Sequence, residues 1–486
     1  MITRRDALKT IGGLAGAATL SKLLPGCGGG PDGITNYVYL MLENRTYDHI
    51  FGARSWKEGK PGDGLRDGIT NPDLQGTPVP LYEPSVEQLC VVDPPHGWDP
   101  SHLQWNNGAM DGFVKAYQMD YSNDLTLKQT MQYQTRATQP ISWALADQYT
   151  TCDRWFASVM GPTLPNRAYW HTATSFGLKE NNAVINQFAS VPVPTIYNRL
   201  VDKGVDWVYY FGSLAVVSLL GSPGDYQLDL GPNDGTGKIR RFSQYADDPG
   251  STAGLFFKDA LAGRLPPVTY IDPFFGSGGN DDHPPGHPIL AQALIRAVYT
   301  ALAKSPQWKN TMLVVTYDEH GGFFDHVAPP TTTDDTLARF GVDGFQQMGF
   351  RVPAMVIGPY AKQGYVSSVT YDHTSALKHL QTAFALEPLN ARMDMANDLS
   401  DCIDMDRLAK GDWAKPIELP ELDLSTYNYN AQACMSGSSF RSTDPISQWA
   451  DEHPTAFARG LYDVRADREA YHRTIVDFLR EHQNTI

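Results

Sequence analysis

Acids that end apolar runs, a hydroxyl set between prolines, and histidines on short loops are the residues from which this chain could build chemistry. Glu43 follows the run Tyr37–Leu42, Asp272 follows Val268–Ile271, and Asp318-Glu319 follows Met312–Tyr317. Carboxylates at such places could hold a cation, cap a helix or form structural ion pairs. Thr163 stands in Gly161-Pro162-Thr163-Leu164-Pro165-Asn166-Arg167, where its hydroxyl could act as a nucleophile or merely stabilise a turn. His96 lies in Asp93-Pro94-Pro95-His96 and His283 in Asp281-Asp282-His283-Pro284-Pro285; His102, His287, His320, His326 and His373 are further candidates. Imidazole titrates near neutrality and could move a proton, although an isolated histidine is more often a hydrogen-bonded structural residue.

These acids meet only if the runs before them are strands of one sheet. The runs are too short for helices and are bounded by turn residues, which makes them buried strands. Between the second and third, Pro288-Ile289-Leu290 opens an Ala- and Leu-rich amphipathic segment to about Lys304, with proline in its first turn. Strand, helix, strand implies a crossover in a parallel sheet covered by helices. Val352–Ile357 is expected to add a strand that leads to a helix near Asp372–Leu386. The fold class is therefore α/β, and ligands of such sheets gather beyond the carboxyl ends of the strands, where Glu43, Asp272 and Asp318 fall. Residues 54–150 and 177–260 have irregular punctuation and are expected to form insertions or a cap. In the polar tail after Asn390 only Asp463–His482 shows clear helical character.

Read in order, several segments carry a resemblance: Glu43-Asn44-Arg45-Thr46-Tyr47-Asp48-His49-Ile50-Phe51-Gly52, the Thr163 segment, Asp281–Pro285, Tyr317-Asp318-Glu319-His320-Gly321-Gly322-Phe323-Phe324-Asp325-His326, and Tyr371-Asp372-His373-Thr374-Ser375. From about Asn36 to His379 the chain resembles the bacterial phosphoesterase family that contains phosphatidylcholine-preferring phospholipases C and related acid phosphatases. The resemblance implies an alkaline-phosphatase-like α/β/α sandwich with a mostly parallel central sheet and insertions forming a cap. It also implies one divalent metal cation and a phosphothreonine intermediate. On matching positions, Glu43, Asn44, Asp318 and Glu319 become metal ligands, and Thr163 becomes the nucleophile touching the same ion. An all-oxygen set suits a hard cation of the Mg²⁺, Ca²⁺ or Mn²⁺ type. Asn166, His96 and His283 match residues that contact the phosphoryl group, with His283 favoured as the acid.

Arg45 and Arg167 could grip phosphate, but fixing the loops by ion pairs is the favoured expectation. Leu164 and Thr46-Tyr47 depart from the common family pattern without removing a ligand. The additional C-terminal β-domains of larger phospholipases C are not matched, which weighs against lipid substrates. The expected substrate is a phosphate ester, either a phospholipid or a soluble phosphomonoester. The competing reading is a non-catalytic surface lipoprotein with a structural metal site, and the Thr163-Asn166 unit argues against it.

Charge and the N-terminus narrow the setting. With 39 Lys and Arg against 54 Asp and Glu, the net charge of −15 disfavours a general nucleic-acid binder. Thr3-Arg4-Arg5-Asp6-Ala7-Leu8-Lys9 before the weakly apolar Ile11–Leu24 resembles a twin-arginine export signal over residues 1–26, too mildly apolar for a membrane span. Leu24-Pro25-Gly26-Cys27 resembles a lipoprotein cleavage box, which would make Cys27 a lipid anchor for peripheral membrane association; a plain cleaved signal is the alternative. The expected location is the periplasm or cell envelope, or outside the cell. Residues 27–35 form a spacer, 36–390 the catalytic domain, and 391–486 an extension packed on it. Neighbour order suggests the pairs Cys90–Cys152 and Cys402–Cys434, with buried free thiols as the alternative.

Overall fold

Strand β1 (Asn36–Leu42) is buried at every position, the mark of a strand covered on both faces rather than of one that alternates core and solvent. The same holds for β8 (Thr311–Tyr317) and β7 (Val268–Ile271). In this computed structural model, which describes residues 33–124, 126–181, 193–219, 237–242, 256–275, 279–423 and 468–482, these three strands form the centre of the sheet. The remaining strands of that sheet are β4 (Thr150–Cys152), β5 (Trp207–Phe211), β6 (Ile239–Arg241), β9 (Ala354–Ile357) and β10 (Val366–Ser367), while β2 (Thr70–Pro72) and β3 (Pro78–Pro80) form a separate hairpin. The 8-stranded order is β10-β4-β9-β8-β1-β7-β5-β6. Only β9 runs against the rest, pairing antiparallel with β8 and β4.

The sheet lies between two helix layers, an α/β/α arrangement. On one side are α2 (Thr163–Thr172) and α4 (His373–Phe384); Tyr39 of β1 meets Trp170 of α2, and Tyr37 meets Phe384 of α4, both edge to face. The other layer contains α1 (Pro140–Gln148), α3 (Pro288–Ala303) and α5 (Arg468–His482), with α3 packed on α1, α5 and β8. The α3 helix starts at proline with His287 as its N-cap, the imidazole accepting from Ile289 N at 3.2 Å. Its interior of Leu, Ile, Val and Ala is buried nearly all round, as a helix covered by other helices must be. Burying one such leucine contributes about 1.5–3 kcal/mol, so Leu294→Ala, at a fully buried position, costs about 2–5 kcal/mol.

The tail after Asn390 departs from expectation: Ala391–Met395 and Met405–Lys410 are short helices, each with an N-cap side chain, Asn390 and Asp404. Helix α5 packs on α3, with Phe478 stacked on Phe257 at 4.0 Å. The neighbour-order cysteine pairing is wrong. Cys152 and Cys402 are buried free thiols facing each other at 3.8 Å, and Cys90 is disulfide-bonded. The cause is the sheet: it lays β4 beside the later segment, and Thr150 donates to the Cys402 carbonyl. Arg4, Arg5, Cys27 and Cys434 lie outside the described residues. Among those described, no helix is long and apolar enough to cross a membrane.

Candidate active site

The parallel register of β1 and β8 pairs Leu42 with Tyr317, so the residues that follow emerge side by side. Asp318 N donates to Leu42 O at 3.1 Å, and Arg45 N to Glu319 O at 3.1 Å, which stitches the two exit turns together. Asn44 adopts a left-handed backbone at φ 59°, tolerable for asparagine, and its N–H donates to Asp318 Oδ1 at 3.3 Å. Gly321 is required opposite it: a Cβ there would lie 2.4 Å from the Asn44 carbonyl oxygen. A Cβ on Gly322 would meet Pro94 and the Pro95 carbonyl at 2.7 Å, so the His96 loop rests directly on this turn.

Glu43, Asn44, Asp318 and Glu319 are all buried, at 1, 0, 0 and 0% exposure. Asp318 is held by Asn44 N and Glu319 N on Oδ1 and by Arg167 Nε on Oδ2. Glu319 Oε2 accepts from Gly321 N at 2.6 Å and lies 3.1 Å from His320 Nδ1. The outstanding atoms are Asn44 Oδ1 and Glu319 Oε1, buried acceptors with no hydrogen-bond partner. Such atoms cost free energy unless something meets them. They sit in an oxygen-only donor set, so the residues present fit a hard divalent cation. Burial pushes the Asp318 carboxyl up to about 7, with Glu319 adding to the rise and Arg167 opposing it.

Thr163 is the first residue of α2, and Arg167, four residues on, shares its helix face. The Arg167 guanidinium contacts Asp318 and Asp272 at 3.0 Å each and Glu43 at 3.5 Å, and so draws the start of α2 to the strand ends. Thr163 is 4% exposed, buried rather than on the surface. Asn166 is turned away from it: its amide donates to the carbonyls of Val159, Gly161 and Pro162, and its Oδ1 accepts from Val159 N at 3.0 Å. Its visible work is to fold the loop that carries Thr163. Arg45 binds the Asp282 carbonyl at 2.6 Å and lies 3.4 Å from the Asp282 carboxylate.

His96 and His283 lie edge to face with centroids 5.9 Å apart. Each ties Nδ1 to a backbone carbonyl, His96 to Pro94 O at 2.7 Å and His283 to Pro284 O, which leaves Nε2 of each ring as the reactive nitrogen. His96 Nε2 points to the exit turns, 3.4 Å from Asn44 Nδ2 and 3.8 Å from Glu319 Oε1. Burial works against its charged form, but the Glu319 and Asp93 carboxylates outweigh it and raise His96 to about 9.

The sequence reading assigned no role to Asp93. Its carboxylate lies 3.5 Å from His96 Nδ1 and 3.9 Å from His283 Nε2, and the three residues form a group whose ligand atoms lie within 4.8 Å of one another. A carboxylate three residues before a histidine was the available signal. Among the reserve histidines, His320 hydrogen-bonds Gln104 at 2.7 Å, and His373 Nε2 lies 2.6 Å from the Asp318 carbonyl, burial pushing it down to about 4. His102 stacks on Trp98, and His287 caps α3. His326 belongs to a second group of metal-like spacing, Asp48, Asp325 and His326.

A family model described as the Phosphoesterase family matches residues 34–387. The chain is 32% identical over 403 residues to phospholipase C B of Mycobacterium tuberculosis, covering 74% of this chain and 75% of that one. It is 30% identical over 385 residues to non-specific phospholipase C6 of Arabidopsis thaliana, covering 73% of this chain and 68% of the other. Among solved structures, the phosphonate monoester hydrolase of Agrobacterium radiobacter overlaps 76% of this chain and 77% of its own at a TM-score of 0.37 and 10% identity.

Proposed function

Since the chain belongs to the phosphoesterase family, we propose that it is an exported, metal-dependent hydrolase of phosphate esters that works through a phosphothreonine at Thr163. The observation that carries the reading is the pair of buried acceptors without partners, Asn44 Oδ1 and Glu319 Oε1, beside Asp318 and Glu43 at the strand ends. Two such acceptors side by side in an oxygen-only donor set support a bound cation more than a brace. Glu43, Asn44, Asp318 and Glu319 would hold the divalent cation, and the chemistry it would supply when bound is neutralisation of phosphoryl charge and a lower proton affinity for a neighbouring hydroxyl.

The chain's own residues divide the remaining work. Thr163 Oγ1 gives up its proton to solvent and attacks phosphorus, the bond from phosphorus to the leaving oxygen breaks, and the departing alkoxide takes a proton from His283 Nε2. Water then attacks the phosphothreonine, returns one proton to the His283 imidazole and carries the other into the released phosphate or phosphorylated head group, while the departing Thr163 oxygen regains its proton from solvent. Asp93, between the two histidines, favours the protonated form of His96, whose Nε2 is the atom expected to contact the phosphoryl group. Asn166 and Arg167 hold Thr163 in place.

The relatives named phospholipase C put a phospholipid first among substrates and a soluble phosphomonoester second. Export rests on the arginine pair, and attachment to a membrane on acylation of Cys27. The test is one panel: a phosphomonoester, a choline-type phosphodiester and phosphatidylcholine, each with chelator-stripped and reconstituted protein. Hydrolysis of at least one, lost on stripping and regained with Mg²⁺, Ca²⁺ or Mn²⁺, is expected. Binding without turnover under every condition would support the surface-lipoprotein alternative.

A further inference from the structure

Arg167 is surrounded as a metal ion would be. Five oxygens close on its guanidinium: Asp318 Oδ2 at 3.0 Å, Asp272 Oδ1 at 3.0 Å, Glu43 Oε1 at 3.5 Å, and the carbonyls of Met41 and Leu42 at 3.3 and 3.1 Å. They come from the ends of three adjacent strands, β1, β7 and β8, and the Phe275 ring covers the guanidinium at 4.8 Å. Arg167 is 0% exposed, so bulk solvent does not reach this charge. A hard cation seeks the same surroundings, several anionic and carbonyl oxygens in a dry place.

The place is divided from the acceptors that lack partners. Asp318 turns Oδ2 to the guanidinium and Oδ1 to the backbone of Asn44 and Glu319, whereas Asn44 Oδ1 and Glu319 Oε1 are left without hydrogen bonds. Asp272 is wholly on the arginine side: Oδ1 accepts from Arg167, and Oδ2 accepts from the Tyr209 hydroxyl and Val216 N.

We propose that Arg167 is a built-in cation: it fills the junction of Asp272, Asp318 and Glu43 where a second divalent ion would otherwise bind, and so sets the site at one metal ion. The proposal rests on the metal reading above and deepens it. Arg167 is a positioning residue, acting on the reaction through Asp318, Glu43 and the start of α2. A single metal follows because the guanidinium already fills the space between Asp272, Asp318 and Glu43, and because this arginine cannot deprotonate to make room.

The number of bound ions is a readout that a merely structural role does not move. Full-length protein stripped with chelator is titrated with Mn²⁺, and free Mn²⁺ is counted by electron paramagnetic resonance. The expected results are one equivalent for wild type, two for Arg167→Ser, which removes the charge and opens the space, and one for Arg167→Lys, which restores a charge. A folded Arg167→Ser that binds one equivalent or none overturns the proposal, as does a wild type that binds two. Wild type binding none contradicts the metal reading itself and is thereby told apart.

If Arg167→Ser does not fold, Asp272→Asn decides. Asp272 serves the guanidinium and not the metal, so this variant is expected to bind one equivalent within about threefold of wild-type affinity. A loss of tenfold or more, within the range that altered metal surroundings produce, makes Asp272 part of the metal site and overturns the assignment.

Discussion

Two buried acid clusters sit on the turns that leave β1 and β8, and they differ in whether the protein supplies all the partners. In the outer cluster Arg351 donates to Asp48 and Asp325 at 2.9 Å each and to the carbonyls of Asp63 and Asp153, while His326 Nδ1 meets the other Asp48 oxygen at 2.6 Å. In the inner cluster Arg167 covers Asp272, Asp318 and Glu43, and Asn44 Oδ1 and Glu319 Oε1 stay open. The outer trio has metal-like spacing and yet is already closed by a guanidinium. Spacing alone therefore does not distinguish a brace from a site; here the two clusters differ in the unfilled acceptors of Asn44 and Glu319. The outer cluster locks Asp48 to Asp325 and so holds the two turns in register, which gives the inner cluster a fixed frame.

Four expected outcomes would break or sharpen this contrast. The largest effect belongs to Thr163→Ala, expected to lower kcat by on the order of 10³-fold or more while far-ultraviolet circular dichroism stays unchanged, because it removes the attacking atom. Near-wild-type turnover by the folded variant would remove Thr163 from the chemistry. Next, Glu319→Gln is expected to lower metal occupancy and activity together, by about 10²-fold in affinity, since a neutral amide replaces an anionic ligand. Metal content by elemental mass spectrometry checks it, and unchanged content would make Glu319 a brace like Asp325.

Third, Arg351→Met strands Asp48 and Asp325 as buried charges and is expected to cost about 3–5 kcal/mol in urea denaturation. The metal count per folded molecule should not change; a change would mean that the two clusters are one site. The smallest effect concerns pH. Burial opposes charging of His326, but the Asp48 hydrogen bond and charge raise it to about 9, above its ordinary 6.5. A raised folded pKa means stability fully present below about 6.5 and lost as pH rises toward 9. The wild-type advantage over His326→Gln should then shrink by about 1–3 kcal/mol between pH 6 and 9.5. A constant difference would show that His326 is neutral in the fold.

The central strands were legible because covering a sheet on both faces forces continuous apolar runs, as in Asn36–Leu42 and Thr311–Tyr317. The acids after them were legible for the same reason, since parallel neighbours deliver their next residues together. The bracing role of Arg167 also followed from its type and place. Less visible were features that depend on distant chain meeting in space. Cys152 finds Cys402 across 250 positions, against neighbour order. Asp93 gains meaning only because Gly322 lets the Pro94-Pro95 loop settle on the exit turn. Asn166 looks like a free donor in sequence, but the prolines around it leave carbonyls that its amide must satisfy. Residue type shows what an amide could donate to, while the local loop determines what it does donate to.

The account stands most directly on whether phosphate passes through Thr163. Reconstituted protein should be mixed with a ³²P-labelled phosphomonoester, or with the labelled phosphodiester that proves to be a substrate, quenched in acid within milliseconds and digested. The account predicts acid-stable label on the peptide containing Thr163, absent from Thr163→Ala and accumulating when water attack is slower than phosphoryl transfer. Stereochemistry at a chiral phosphorus closes the question whichever step is slow. Two successive in-line displacements give net retention, whereas net inversion, with turnover intact and no label on Thr163, would contradict the central claim.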